Sequence, residues 1–192
     1  QAAGLFDVSH MGEVMVRGPQ ALAFIQQLVT NDVARLYDGK AMYTVMCKPD
    51  GGIVDDLLVY RMGEEEYLLV INASNIEGDL AWMQANNPLE ADLKNISNEI
   101  ALLAIQGPQA LSIVQPLTEV DLNALKFYHF QKLPAGAFFG CERAILSHTG
   151  YTGEPGLEIY CDAGGAEDIW NALLEQGASK GLVPAGLGAR DT

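Results

Sequence analysis

Gly18-Pro19-Gln20-Ala21-Leu22 returns later in the chain as Gly107-Pro108-Gln109-Ala110-Leu111. Extended to Leu28 and Leu117, the two stretches share seven of eleven residues at a constant offset of 89. A repeat at one fixed spacing makes the chain two copies of a single supersecondary unit. Each copy follows a stretch that reads as a short strand, residues 13–17 in the first and 100–106 in the second. Each then opens a helix with proline expected at its first position, where the missing N–H does no harm. In the first copy Ala21, Leu22, Ile25, Leu28 and Val29 fall on one helical face, and Thr30-Asn31-Asp32 ends it.

The agreement continues downstream. β-rich segments follow the first helix at residues 41–47, 53–61 and 66–72, with Pro49-Asp50-Gly51-Gly52 as a turn between the first two. Ser74 and Glu77 have the spacing of a capping box, opening a helix that buries Ile76, Leu80 and Met83 and stops at Asn86-Asn87-Pro88. The second copy reads as strands around 135–139, 143–148 and 156–161, then a helix over about 166–177. Asp79-Leu80 with Trp82 is echoed by Asp168-Ile169-Trp170. The expected fold is α+β: duplicated strand–helix–strands–helix units with antiparallel sheets, helices on one face of each. The boundaries follow as 1–98 and 99–192, with a pseudo-twofold arrangement and a cleft near the join.

Composition narrows the function. Net charge is −14 with only eleven Lys and Arg, which argues against nucleic acid as a partner. No apolar run approaches the roughly 18 residues of a membrane span, and no signal peptide opens the chain. Gln1 at the start and Asp191-Thr192 at the end read as cuts inside a longer polypeptide. Cys47, Cys141 and Cys161 have unrelated spacings, the pattern of buried reduced thiols rather than disulfides or a metal site.

Few residues stand out chemically. Asp55 and Asp56 interrupt the apolar run Ile53-Val54-Asp55-Asp56-Leu57-Leu58-Val59-Tyr60. Strand alternation puts Asp56, Leu58 and Tyr60 on one face and Asp55, Leu57 and Val59 on the other. One carboxyl is therefore expected out of water, a costly placement unless it is hydrogen-bonded or neutralised. The pair reads equally as a cap on the preceding turn. At the 89-residue offset stand Ala144 and Ile145, so the scaffold itself needs no acid there. The bend Thr149-Gly150-Tyr151-Thr152-Gly153-Glu154-Pro155-Gly156-Leu157-Glu158 lacks a phosphate-loop pattern. It suits either a backbone approaching a flat ligand, with Tyr151 and Glu158 beside it, or an ordinary hairpin. Arg190 suits a bidentate grip on a carboxylate or an ion pair with Asp191 or Asp7. His10 reads as a core or loop histidine.

Five blocks carry a resemblance: Phe6-Asp7-Val8-Ser9-His10-Met11-Gly12, Gly51-Gly52-Ile53-Val54-Asp55-Asp56-Leu57, Ile105-Gln106-Gly107-Pro108, Thr149 to Glu154, and Ala185-Gly186-Leu187-Gly188-Ala189-Arg190-Asp191. In order and spacing they resemble the folate-dependent aminomethyltransferases, the T-proteins of the glycine cleavage system, across essentially the whole chain. The resemblance implies a folate-binding domain and a specific reaction. A lipoylated H-protein delivers an aminomethyl group, its one-carbon unit passes to the co-substrate tetrahydrofolate, and ammonia leaves. It implies Asp56 as the acid beside the reacting folate nitrogens. Glu158 and Arg190 would hold the pterin, and Met11, Tyr43, Leu58, Tyr60, Asn72 and Tyr151 would line the pocket. A cytoplasmic or mitochondrial-matrix location follows, with neither nucleic acid nor membrane as partner. The family carries a further C-terminal domain, so this piece alone is expected to be inactive. Relatives in dimethylglycine and sarcosine dehydrogenases, a demethylase and a non-catalytic iron–sulfur assembly protein share the fold. That last group has a cysteine block where this chain has Thr149-Gly150-Tyr151.

Overall fold

The computed structural model describes residues 2–189, which form two compact units. The elements in chain order are β1 (Ala3–Asp7), β2 (Gly12–Arg17), α1 (Ala21–Leu28), β3 (Ala41–Cys47), β4 (Ile53–Gly63), β5 (Glu66–Ile71), α2 (Ile76–Ala85), β6 (Asp92–Asn95), β7 (Ile100–Gln106), α3 (Ala110–Val114), β8 (Phe130–Lys132), β9 (Ala144–Ser147), β10 (Gly156–Asp162), α4 (Ala166–Gly177) and β11 (Leu182–Pro184). The fold is α+β with mainly antiparallel pairing; β1 with β11 is the parallel exception.

His10–Ser97 forms a five-stranded sheet in the order β3-β4-β5-β2-β6. Its core lies between one sheet face (Val14, Val16, Leu57, Val59, Leu69, Ile71) and the two helices, which contribute Ala21, Phe24, Ile25, Leu28 and Met83. The other unit joins the described residues up to Ser9 to those from Asn98 onward, as a six-stranded sheet in the order β11-β1-β7-β10-β9-β8. Leu103, Ile105, Leu157 and Ile159 meet Ile113, Ile169 and Leu173 there. Residues 3–7, inside the bounds 1–98 expected for the first unit, pair in the sheet of the other unit. Their backbone is claimed by β7 on one side and β11 on the other.

The repeated peptide is built alike in both copies. Ala21 N–H bonds Gly18 O at 3.0 Å and Ala110 N–H bonds Gly107 O at 2.9 Å, with Gln20 and Gln109 as helix caps of nearly equal backbone angles. Pro19 and Pro108 sit inside that turn rather than at the first helical residue, where their fixed φ suits its second position. Hairpins of different length break the single offset. A 3-10 turn precedes the later helix of each copy, at Ala73–Asn75 and Ala163–Gly165, and α2 and α4 start 90 apart (166 − 76). Buried Asp79 and Met83, fourth and eighth in α2, therefore correspond to buried Ile169 and Leu173, and the Asp79–Asp168 echo is one residue out of register. By the same ladders Tyr60 pairs Leu68 and Ser147 pairs Glu158. Exposed Glu142 and Arg143, rather than Ala144 and Ile145, then take the places of Asp55 and Asp56.

Three local expectations fail for local reasons. Ser74 makes no helix-capping bond; its hydroxyl bonds Asn75 Oδ1, because the 3-10 turn delays the α-helix to Ile76. Ile76 and Leu80 are only partly buried. Residues 135–139 form turns, not a strand: Gly136, Phe139 and Gly140 have positive φ, and β8 supplies the sheet edge earlier. No helix among the described residues is long and apolar enough to cross a membrane. Cys141 and Cys161 are buried, and burial pushes the Cys161 thiol up to about 12.

Candidate functional site

Six of the sequence-selected residues lie on or beside one sheet face of the His10–Ser97 unit, opposite its helices. Alternation along β4 turns Asp55, Leu57 and Val59 toward the helices and Asp56, Leu58 and Tyr60 the other way. The register sets Tyr43 beside Leu58 and Leu58 beside Val70. Asn72 follows β5 directly, and Met11 precedes β2 at the same end, since Gly12 pairs Ile71. Asp56 is half-buried; Tyr43 Oη donates to its Oδ2 at 2.9 Å. Asn72 Nδ2 reaches Asp56 O at 3.1 Å and Asp56 Oδ1 at 3.4 Å. Met11, Leu58 and Asn72 are half-buried and Tyr43 is 48% exposed, whereas Tyr60 is fully buried. Tyr60 thus shapes the floor of the face without presenting surface. His10 sits exposed in the turn before this strand, so it is a loop residue.

Sequence reasoning missed Glu13 on this same face, cross-strand from Val70. It is fully buried, and neither side-chain oxygen has a hydrogen-bond partner among the described residues. Burial pushes its carboxyl up to about 8, so it is held protonated at neutral pH. A lone acid in the run Gly12-Glu13-Val14-Met15-Val16 was the available signal. Asp79, on α2, is raised to about 7 by burial and by Asp55. For both acids the folded value exceeds the unfolded one. Their stabilisation is therefore complete below pH about 4 and is lost as pH rises through 7 and then 8. The urea midpoint should fall between pH 6 and 8.5, and Glu13→Gln should flatten the upper part, removing up to about 1.4 kcal/mol per pH unit. A wild-type midpoint that stays level over this range rules the protonated Glu13 out.

The other unit places Glu158 on β10, flanked by Ala104 and Ser147. The Thr149 hydroxyl bonds the Glu158 carboxylate and, at 2.9 Å, the Ser147 hydroxyl. One hydroxyl has one proton to give, so Thr149 donates to the carboxylate and accepts from Ser147. Burial, and then the Glu158 charge, raise the Tyr128 hydroxyl. The glycines of the bend have a use the sequence did not reveal. A Cβ on Gly150 would meet Gln106 Oε1 at 2.1 Å, and one on Gly156 would meet its Cδ and Nε2 at 2.5 Å. The bend closes on the Gln106 amide, which donates to Thr149 O and Leu157 O and accepts from Thr152 Oγ1. Tyr151 is 77% exposed at an open groove of about 1200 Å³ that Phe6, Gln106, Thr152 and Ala185 also line. Arg190 lies outside the described residues.

Together these features define a duplicated α+β module that carries a hydrogen-bonded aspartate on a largely apolar sheet face and a second held carboxylate in its other unit. The chain belongs to the family of the GCVT N-terminal domain, which matches residues 1–192. It is 54% identical over 191 residues to an aminomethyltransferase of Bacillus subtilis (strain 168), covering 100% of this chain and 52% of that one. To an aminomethyltransferase of Halothermothrix orenii it is 52% identical, covering 98% and 52%. The glycine cleavage system aminomethyltransferase T from Bartonella henselae superposes with TM-score 0.86 at 33% identity, over 99% of this chain and 49% of that one. A heterotetrameric sarcosine oxidase from Corynebacterium sp. U-96 shares the fold at 15% identity and TM-score 0.68. The chain spans about half the length of the curated relatives it matches.

Proposed function

We propose that this chain is the folate-binding part of an aminomethyltransferase of glycine cleavage. In the whole protein, the one-carbon unit of an aminomethyl group on the lipoyl arm of an H-protein passes to tetrahydrofolate, giving methylenetetrahydrofolate and ammonia. The observation that carries this reading is Asp56, oriented by Tyr43 and Asn72 on a face where Met11 and Leu58 also present apolar surface. A flat, donor-rich ring suits a carboxylate acceptor set among apolar walls. Asp56 orients the reacting nitrogens and assists proton movement, while Glu158 and Arg190 hold the pterin and Tyr151 lines the pocket. The proper names of the relatives support the transferase class.

Calorimetric titration with tetrahydrofolate, and methylene transfer on adding aminomethylated H-protein, test the reading in the whole protein. Saturable binding with transfer is expected; a whole protein that neither binds nor transfers sinks it. Residues 1–192 alone should bind on the order of 10²-fold more weakly or worse, because a pocket that lacks a wall loses both contact and pre-organisation. Equal affinities would show that the pocket is complete within this chain.

A further inference from the structure

Asp55 and Asp79 lie outside the proposed reaction, yet both are buried, at 6% and 1% exposure. Asp55 Oδ1 accepts from Asn72 Nδ2 at 2.9 Å. Asp55 Oδ2 and Asp79 Oδ2 find no donor among the described residues, and the two carboxyls are close enough for a hydrogen bond between them. Two carboxyls can form one only with a proton between them. The same Asn72 amide that meets Asp55 also touches the Asp56 backbone and side chain. We propose that Asp55 and Asp79 share a single proton and act together as positioning residues, holding the Asn72 amide so that Asp56 keeps its place on the opposite face of the sheet.

The surroundings favour one proton over two or none. Burial works against charge on Asp55, but Asp79, Asn72, the Asp56 backbone and Asn75 outweigh it and hold its carboxyl below the usual value. Asp79 moves the other way, to about 7, through burial and the charge of Asp55. A shared-proton pair shows this split of one acid down and its neighbour up. The groups facing the pair are Met46 from β3, Asp56 along β4, Asn72 and Asn75 from the turn after β5, and the α2 backbone around Asp79. None of these is a Lys or Arg, so none of them supplies a cation in place of the proton. The scaffold does not require the arrangement either: Ile169 fills the equivalent buried position of α4 with an apolar side chain.

The inference rests on the reading of Asp56 only in its catalytic arm, so the test has two arms in the whole protein. In the first, the Asn72 side-chain amide and the Asp carboxyl carbons are followed by NMR against pH. In wild type the Asn72 signals, with those of Asp55 and Asp79, should move together with an inflection near pH 7. Asp79→Asn supplies an amide donor to Asp55 and should abolish that inflection. An Asn72 signal unaffected by pH in wild type overturns the proposal without any variant, and so does an inflection that survives in Asp79→Asn. In the second arm, the wild-type transfer rate should decline as pH rises past 7, and Asp79→Asn should lose that alkaline decline. If NMR shows the pair but the two rate profiles coincide, positioning of Asp56 is wrong. If wild type transfers nothing at any pH, the functional reading falls while NMR still decides the pair.

Discussion

Asp56→Asn in the whole protein is expected to lower transfer by roughly 10²–10⁴-fold, the range for a positioned acid–base group. The amide keeps the shape of the carboxylate but cannot hold its charge or move a proton. It also meets Tyr43 Oη and Asn72 Nδ2, both of which now donate to Asp56. Asp55→Asn should cost less activity and more stability. That carboxyl faces the helix side of the sheet, bonded to Asn72 and Asp79. Losing a buried charged acceptor typically costs about 1–3 kcal/mol. Initial transfer rates and urea midpoints for both variants separate the roles. Equal rate losses with unchanged midpoints would remove the distinction between the two faces of β4.

Gly107→Ala should be the most damaging small substitution in the repeated turns, destabilising by about 3 kcal/mol or more. Gly107 has φ 129°, and an added Cβ would lie 2.8 Å from Ala2 O and from Ala3 Cα. These are backbone atoms that cannot swing aside, since Ala2 O also accepts from Gln109 N–H at 3.0 Å. Gly18, in the matching turn, has φ 94° but nothing within 4 Å of its would-be Cβ. Gly18→Ala therefore carries backbone strain alone, about 1–2 kcal/mol. Denaturant midpoints of the two variants give the comparison directly. Similar losses would mean that the chain entering β1 does not press on the second turn.

The periodic segments were readable because their signals are local. Residues 41–47, 100–106 and 166–177 are strand, strand and helix within the boundaries their patterns indicate. Local signals misled where neighbours decided. Ser74 and Glu77 have capping-box spacing, but the turn before α2 removes them from the helix start. The short strands Ala3–Asp7, Asp92–Asn95 and Leu182–Pro184 exist through pairing with distant partners, and nothing in their own few residues announces it.

At the candidate site the division is equally physical. Alternation along residues 53–60 determines that Asp55 and Asp56 face opposite ways, and the family resemblance is what puts forward Asp56, Tyr43, Asn72, Tyr151 and Glu158 as site residues. The repeat, legible as one peptide at one offset, determines that two similar units exist. Tertiary structure alone decided the rest. Glu13 and Asp79 keep their protons to higher pH chiefly through burial among residues far away in sequence, with Asp55 adding to the effect at Asp79, and burial is a property of the packed sheet and helix rather than of any residue type. The sequence left the glycines of the bend open between a ligand's approach and an ordinary hairpin, and only the folded chain showed that Gly150 and Gly156 make room for Gln106. Strand period and helix period act over a few residues and are written in the chain; desolvation and close contact join residues distant in sequence, such as Gly107 and Ala2, and arise only once the chain has folded.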